Sequence, residues 1–220
     1  MASQTVENYI KAIFQLTEKE GNSVTTSALA DHLTTSAASV TDMLKKLADQ
    51  KLIEYIKYKG VRLSTSGKSM AVQLIRKHRL WETFLFEKLT ISWDGVHEIA
   101  EQLEHVHSDR LIEQLDEFLG FPKFDPHGDP IPDASGKFTL RNQVLLSSLE
   151  VGDDAQVVAV REHDADFLQY LHSRQLNIHS KIKVVDKLAY DETIKVRTHD
   201  GLDTLLSAKA SQNLYVKKIN

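Results

Sequence analysis

Apolar residues recur with a helical period over the first half of the chain and with a period of two over the last third. Val6, Ile10, Ile13 and Phe14 follow an i, i+4, i+7, i+8 spacing, which predicts a helix over 5–19 with one buried face, broken at Gly21-Asn22. Two short helical runs follow, TTSALADHL and ASVTDMLKKLADQ, joined by the polar turn TTS. The second has an apolar stripe of Val40, Met43, Leu44, Leu47 and Ala48, with Ser36 placed to cap it. Two short helices around a tight polar turn make a helix-turn-helix. The run LIEYIKYKGVRLST alternates around Lys59-Gly60 and predicts a β-hairpin, so the pattern is that of a winged helix. From Ser66 to about Leu89 the period is helical again. Asp94 is placed to cap a further helix through residue 107, and Ser108 one ending at Leu119 before Gly120.

Residues 120–138 contain all four prolines and predict a loop or linker. Beyond about 145 the pattern changes to short runs with strand character, AQVVAV, KIKVV, TIKVRT and LYVKKI, interrupted by one helical patch, ADFLQYLHSRQ. This predicts a small β-barrel of about 75 residues. The expected fold is mainly α with small β parts: an N-terminal winged helix-turn-helix, a helical middle and a C-terminal β-barrel.

Composition narrows the chemistry. The chain of 220 residues has no cysteine, which excludes disulfide frameworks, zinc fingers and thiol catalysis and fits a reducing cytoplasm. Neither a signal-peptide pattern nor a bilayer-length apolar run is present, so a cytoplasmic protein without a membrane partner is expected. Charge is unevenly spread. Residues 1–80 carry twelve Lys and Arg against seven Asp and Glu, whereas 81–133 carry three against thirteen. The basic head suits a polyanion. The acidic middle also holds His97, His105, His107 and His127, and carboxylates mixed with imidazoles suit a divalent cation.

Within VHEIAEQLEH, His97, Glu101, Glu104 and His105 share one side of a helix, and RKHRLWE sets His78 and Glu82 one turn apart. Such residues on two consecutive helices are what a metal site between helices needs. The competing reading is a solvated acidic face with incidental histidines. HEIAE and EQLEH each miss a zinc-protease pattern by one residue, and the many carboxylates leave no evident open coordination position, so neither an enzyme nor a small organic substrate is expected. In the head, Ser36, Ala38, Ser39 and Thr41 open the second helix of the helix-turn-helix and suit phosphates and base edges in a major groove. Lys45 and Lys46, with Lys57, Lys59 and Arg62 in the wing, suit the DNA backbone.

The run RKHRLWE, then VHEIAEQLEHVHSD about twenty residues on, then FPKFDPHGDPIP, resembles the diphtheria-toxin-repressor family of iron- or manganese-responsive transcription regulators. The resemblance implies a winged helix over 1–75, a helical metal-binding and dimerisation domain over 76–142, and an SH3-like domain over 147–220. It also implies two metal sites. The first takes Glu101, Glu104 and His105 with Asn8 from the first helix; the second takes His78, Glu82 and His97, joined by Asp125 and His127 of the linker and His163 or Asp166 of the last domain. Two positions depart from the family pattern. Asn8 stands where Met or Asp is common, and Lys11 where some manganese-responsive members have Glu; protonated Lys11 cannot coordinate, so the first-helix link is expected to be weaker or to pass through Glu7 or a backbone carbonyl.

The expected function is a homodimeric, metal-dependent DNA-binding regulator, a repressor of metal-uptake genes, that reads a pseudo-palindromic operator. Manganese is the favoured effector and ferrous iron the alternative, because Glu101 occupies a position that often carries a soft ligand in iron-responsive members and the remaining ligands are oxygen and imidazole nitrogen. A winged-helix regulator whose acidic middle binds a protein, without metal, is the competing class.

Overall fold

A computed structural model of the chain describes residues 3–21 and 23–219. They form two units, one of the described residues within 3–78, 101–112 and 132–137, the other of 79–100, 113–131 and 138–219.

The first unit is built on a winged helix. Helix α1 (Gln4–Glu20) is capped by Ser3 and ends where Gly21 adopts a φ of 103°. Helices α2 (Thr26–His32) and α3 (Ala37–Asp49) are capped by Thr25 and Ser36. Strands β1 (Ile53–Ile56) and β2 (Gly60–Leu63) pair antiparallel, and Val24 forms a single antiparallel bridge to Val61. The approach is close: a Cβ on Gly60 would lie 2.0 Å from the Val24 carbonyl oxygen, so this position must be glycine. Ile10, Ile13, Leu29, Val40, Leu44 and Leu47 form the core, and the predicted stripes of α1 and α3 face it.

Helix α4 (Thr65–Leu89) supplies residues to both units. Helix α5 (Val96–Leu103) is shorter than its sequence pattern predicts. Val106 N–H donates to the Leu103 carbonyl, closing a turn, so Glu104 and His105 lie just past the helix end. Asp94 is not its cap either. The Ser92 carbonyl accepts from Gly95 and Val96, and the Asp94 carboxylate accepts from Gln169. Helix α6 (Asp109–Phe118) begins after Ser108, whose hydroxyl accepts from Leu111 N–H.

In the second unit residues 120–131 of the linker form turns, and the C-terminal part is a six-stranded antiparallel sheet of order β3-β8-β4-β5-β6-β7. Its strands are β3 (Val144–Leu145), β4 (Asp154–Val160), β5 (Lys181–Lys187), β6 (Ile194–Thr198), β7 (Asp203–Leu206) and β8 (Leu214–Ile219). Register shifts at Val157/Ala159 and Val184/Asp186 mark irregularities that bend β4 and β5. Helix α7 (Ala165–Ser173) follows β4, and α8 (Ala208–Ser211) precedes β8. The core gathers Leu146, Leu149, Val157, Leu168, Leu171, Ile194 and Val216, with Trp93 packed into the same cluster. Among the described residues, no helix is long and apolar enough to cross a membrane.

Candidate metal centres and DNA interface

The first group of titratable residues lies in the first unit. The apolar face of α1 is buried through Val6, Ile10 and Ile13, which fixes the neighbouring polar residues Glu7 and Lys11 in nearly complete burial. Lys11 Nζ donates to Glu101 Oε1 and to Glu104 Oε2, each at 2.6 Å. His78 Nδ1 lies 2.6 Å from the same Glu104 oxygen and 3.2 Å from the ammonium. The other Glu104 oxygen, Oε1, is buried without a hydrogen bond, as is Asn8 Oδ1. His105 pairs through Nδ1 with Glu7 at 2.5 Å, and its Nε2 lies 3.9 Å from Glu104 Oε1. A ring whose Nδ1–H is held by a carboxylate presents Nε2 to a metal. Glu7 therefore orients His105 through Oε2, and its Oε1 lies 3.8 Å from His107 Nε2.

The second group lies in the second unit. Glu82 on α4 and the turn residues Asp125 and His127 place ligand atoms within 4.8 Å of one another, all buried. His127 Nε2 donates to the Trp93 carbonyl at 2.7 Å, which leaves Nδ1 facing Glu82 Oε1 at 3.8 Å without a hydrogen bond. His97 Nδ1 is 3.1 Å from that Glu82 oxygen. The His163 ring stacks on His127 with centroids 4.9 Å apart, and its Nε2 is buried without a hydrogen bond. Arg79 braces the acidic side: its Nη2 lies 3.1 Å from Asp129 Oδ2, its Nη1 donates to the Pro130 carbonyl, and its Nε is 3.6 Å from Asp125.

The electrostatics of the second group are those of a site short of positive charge. Burial, reinforced by Asp129 and Glu82, raises the Asp125 carboxyl to about 8. Burial alone would depress His127, but Glu82 and Asp125 outweigh it and raise the ring to about 9. His163 is lowered to about 4, chiefly by burial, and is a neutral imidazole at pH 7. The group holds protons where a divalent cation would satisfy the same atoms. Orphaned imidazole nitrogens beside two buried carboxylates fit a borderline metal such as manganese, ferrous iron or zinc.

On the DNA side, α3 exposes Ala37, Ala38, Ser39, Thr41, Asp42, Lys45 and Lys46. Several predicted contacts have local partners. Ser36 caps α3 and its hydroxyl is 2.9 Å from that of Ser39, while Thr41 donates to the Ala37 carbonyl. Lys45 pairs with Asp42, and Arg62 is held by Glu54 across the hairpin. Lys46 and Lys59 are exposed, and the wing tip carries Tyr58, 95% exposed, at a φ of 61°.

Comparison with known proteins decides the family. Residues 1–61 match the iron dependent repressor N-terminal DNA binding domain, 64–133 the iron dependent repressor metal binding and dimerisation domain, and 144–218 the FeoA domain. The chain is 32% identical over 212 residues to the iron-dependent repressor IdeR of Mycobacterium leprae, covering 90% of this chain and 91% of that one. The chain belongs to the iron-dependent repressor family. A solved manganese-dependent transcriptional repressor in complex with manganese shares 34% identity and superposes with a TM-score of 0.86, covering 97% of this chain and all of that one. ScaR with bound Zn2+ shares 32% identity with a TM-score of 0.78, covering 97% of this chain and 99% of that one. The HTH-type regulator MntR of Oceanobacillus iheyensis is 31% identical over 125 residues, covering 57% of this chain and 84% of that one.

Within this iron-dependent-repressor fold, the residues singled out from sequence divide unevenly. Glu101, Glu104, His105 and Asn8 share one unit, and His78, expected beside Glu82, contacts Lys11 and Glu104 there. Glu82, His97, Asp125, His127 and His163 come together in the other. Asp166 does not join them. It is exposed in the first turn of α7, where its N–H bonds to the capping Asp164. Lys11 links α1 to Glu101 and Glu104 directly. Sequence reasoning missed Arg79 and the Trp93 carbonyl. Arg79 lies inside RKHRLWE and was open to inspection, but a backbone carbonyl leaves no trace in a sequence.

Proposed function

We propose that this protein is a divalent-metal-dependent DNA-binding transcription repressor that acts as a homodimer in the cytoplasm on a pseudo-palindromic site. Manganese is its principal effector and ferrous iron the runner-up. The domain limits that go with this reading are 1–75 for DNA binding, 76–142 for metal binding and dimerisation, and 147–220 for the SH3-like part.

The observation that carries the reading is the second group: two buried imidazole nitrogens without hydrogen bonds beside the buried carboxylates of Glu82 and Asp125. Glu82, Asp125, His127 and His163 would hold one ion, with His97 beside them; Glu104, His105 and Asn8 would hold another. A bound ion supplies the positive charge that these buried carboxylates lack. The chain's own residues do the rest. Trp93 fixes the His127 tautomer, Arg79 braces Asp125 and Asp129, and Glu7 and Lys11 tie the winged helix to the turn that carries Glu104 and His105. Oxygen and imidazole ligands without thiolate or thioether favour manganese among the family's metals, with selectivity resting on coordination rather than on raw affinity.

Calorimetric titration with Mn2+ tests the site directly. Replacing His127 and His163 together with Ala is expected to remove one equivalent of bound Mn2+ per chain and to leave the first group's equivalent in place. Unchanged stoichiometry and affinity would refute the assignment of these two residues.

A further inference from the structure

We propose that the Lys11 ammonium is a built-in cation of the first group. It takes the place between Glu101, Glu104 and His78 that a divalent ion would otherwise fill, and it limits that group to a single metal on the side of Glu104 Oε1 and His105. This rests on the reading above that the group binds metal at all.

Three observations carry the inference. Nζ has two carboxylate oxygens at 2.6 Å and an imidazole nitrogen at 3.2 Å, the oxygen and nitrogen donor set of a borderline divalent ion gathered on one point charge. The lysine is 5% exposed, and its stem rises from a stretch of α1 where Ile10, Ala12 and Ile13 are themselves buried. Buried lysines are rare unless paired, and this one is paired twice. Finally, Glu104 is fully buried and its two oxygens are divided. Oε2 is engaged by Lys11 and His78, whereas Oε1 has no hydrogen bond and lies toward His105 Nε2. One half of the cluster is thus neutralised by the protein itself and the other half is left for an ion. The same contacts tie α1 to Glu101 and Glu104 through the chain's own charge.

The test is Mn2+ bound per full-length chain, measured by equilibrium dialysis with elemental analysis, for the wild type, Lys11→Glu and Lys11→Gln. Removing the ammonium and adding a carboxylate should let Lys11→Glu take up one equivalent more than the wild type. Lys11→Gln should gain the same equivalent at higher free Mn2+. If Lys11→Glu folds only when Mn2+ is added, as judged by near-ultraviolet circular dichroism, that dependence supports the proposal, since the ion then does what the ammonium did. Two folded variants with the wild-type stoichiometry over the whole titration would overturn it. Failure of the underlying reading looks different: the wild type itself would bind no Mn2+, a result independent of the difference between variants and wild type.

Discussion

Asp125 and His127 face one buried space and hold protons in it for opposite reasons. Burial raises the carboxyl to about 8 by penalising its charge, while Glu82 and Asp125 raise the imidazole to about 9 by rewarding its charge. Both therefore carry a proton at pH 7, and both must lose it to coordinate. His163, lowered to about 4, has none to lose. The sign follows: protons compete with the ion, so affinity at this group should rise as pH increases from about 7 through 9 and flatten above that. Binding at pH 7 should release close to two protons per ion. Calorimetry of Mn2+ binding in buffers of different ionisation enthalpy checks this, and His127→Ala should reduce the release. Proton-neutral binding at pH 7 would contradict these charge states. Residue identity made these ligands legible in the sequence, but their tautomers and proton loads were not, because those depend on what burial brings near.

At the scale of elements, the turn that carries Asp125 and His127 is held by the Asp125 side chain and by contacts with β4 and Arg141. Asp125 Oδ1 accepts from His127 and Asp129 N–H, the His127 carbonyl accepts from Val160 on β4, and Arg141 donates to the carbonyls of Gly128 and Val158. Gly128 sits at a φ of 88°, and a Cβ there would meet the Val158 carbonyl oxygen at 2.1 Å. Neither the conformation nor the space admits a side chain. Gly128→Ala should therefore destabilise the protein by about 2–4 kcal/mol, the range of a steric and backbone-strain defect. It should also weaken Mn2+ binding at the second group while leaving the first group's equivalent intact. Urea unfolding and dialysis measure the two effects, and a variant as stable as the wild type would show that the turn yields. The sequence pattern read this region only as a linker rich in proline, because its order comes from contacts with β4 that no local signal encodes. Regular elements fared better. The stripes of α1 and α3 and the Ser36 cap were legible from period and residue type alone, whereas α5 ends at Leu103 where the pattern ran on to 107.

At the scale of the molecule, the apolar residues of α6 divide between two tasks. Ile112 and Leu115 are buried, but Phe118 is 64% exposed, and Phe86, Leu89 and Phe121 are exposed as well. Large apolar side chains left in water on these helices call for a second copy of the chain. Phe118→Glu should convert a two-fold dimer into a monomer at micromolar concentration in sedimentation equilibrium; a variant that stays dimeric would move the interface elsewhere. The overall architecture was legible because the change of period from helical to alternating marks where the helices give way to the sheet. Lys11 was the opposite case. Its sequence position suggested a lost ligand, and only the folded chain reveals the two carboxylates it joins.

The most direct measurement of the central claim is DNA binding by fluorescence anisotropy, at one fixed salt concentration, on a fragment of a promoter the protein occupies. It should be run with chelator and then with Mn2+, ferrous iron under anaerobic conditions, or Zn2+. A coupling of about 1–3 kcal/mol between metal and DNA, typical of allosteric proteins, predicts tightening by roughly 5- to 150-fold, with Mn2+ producing it at free concentrations within its cellular range. Equal affinity with chelator and with every metal would contradict the account.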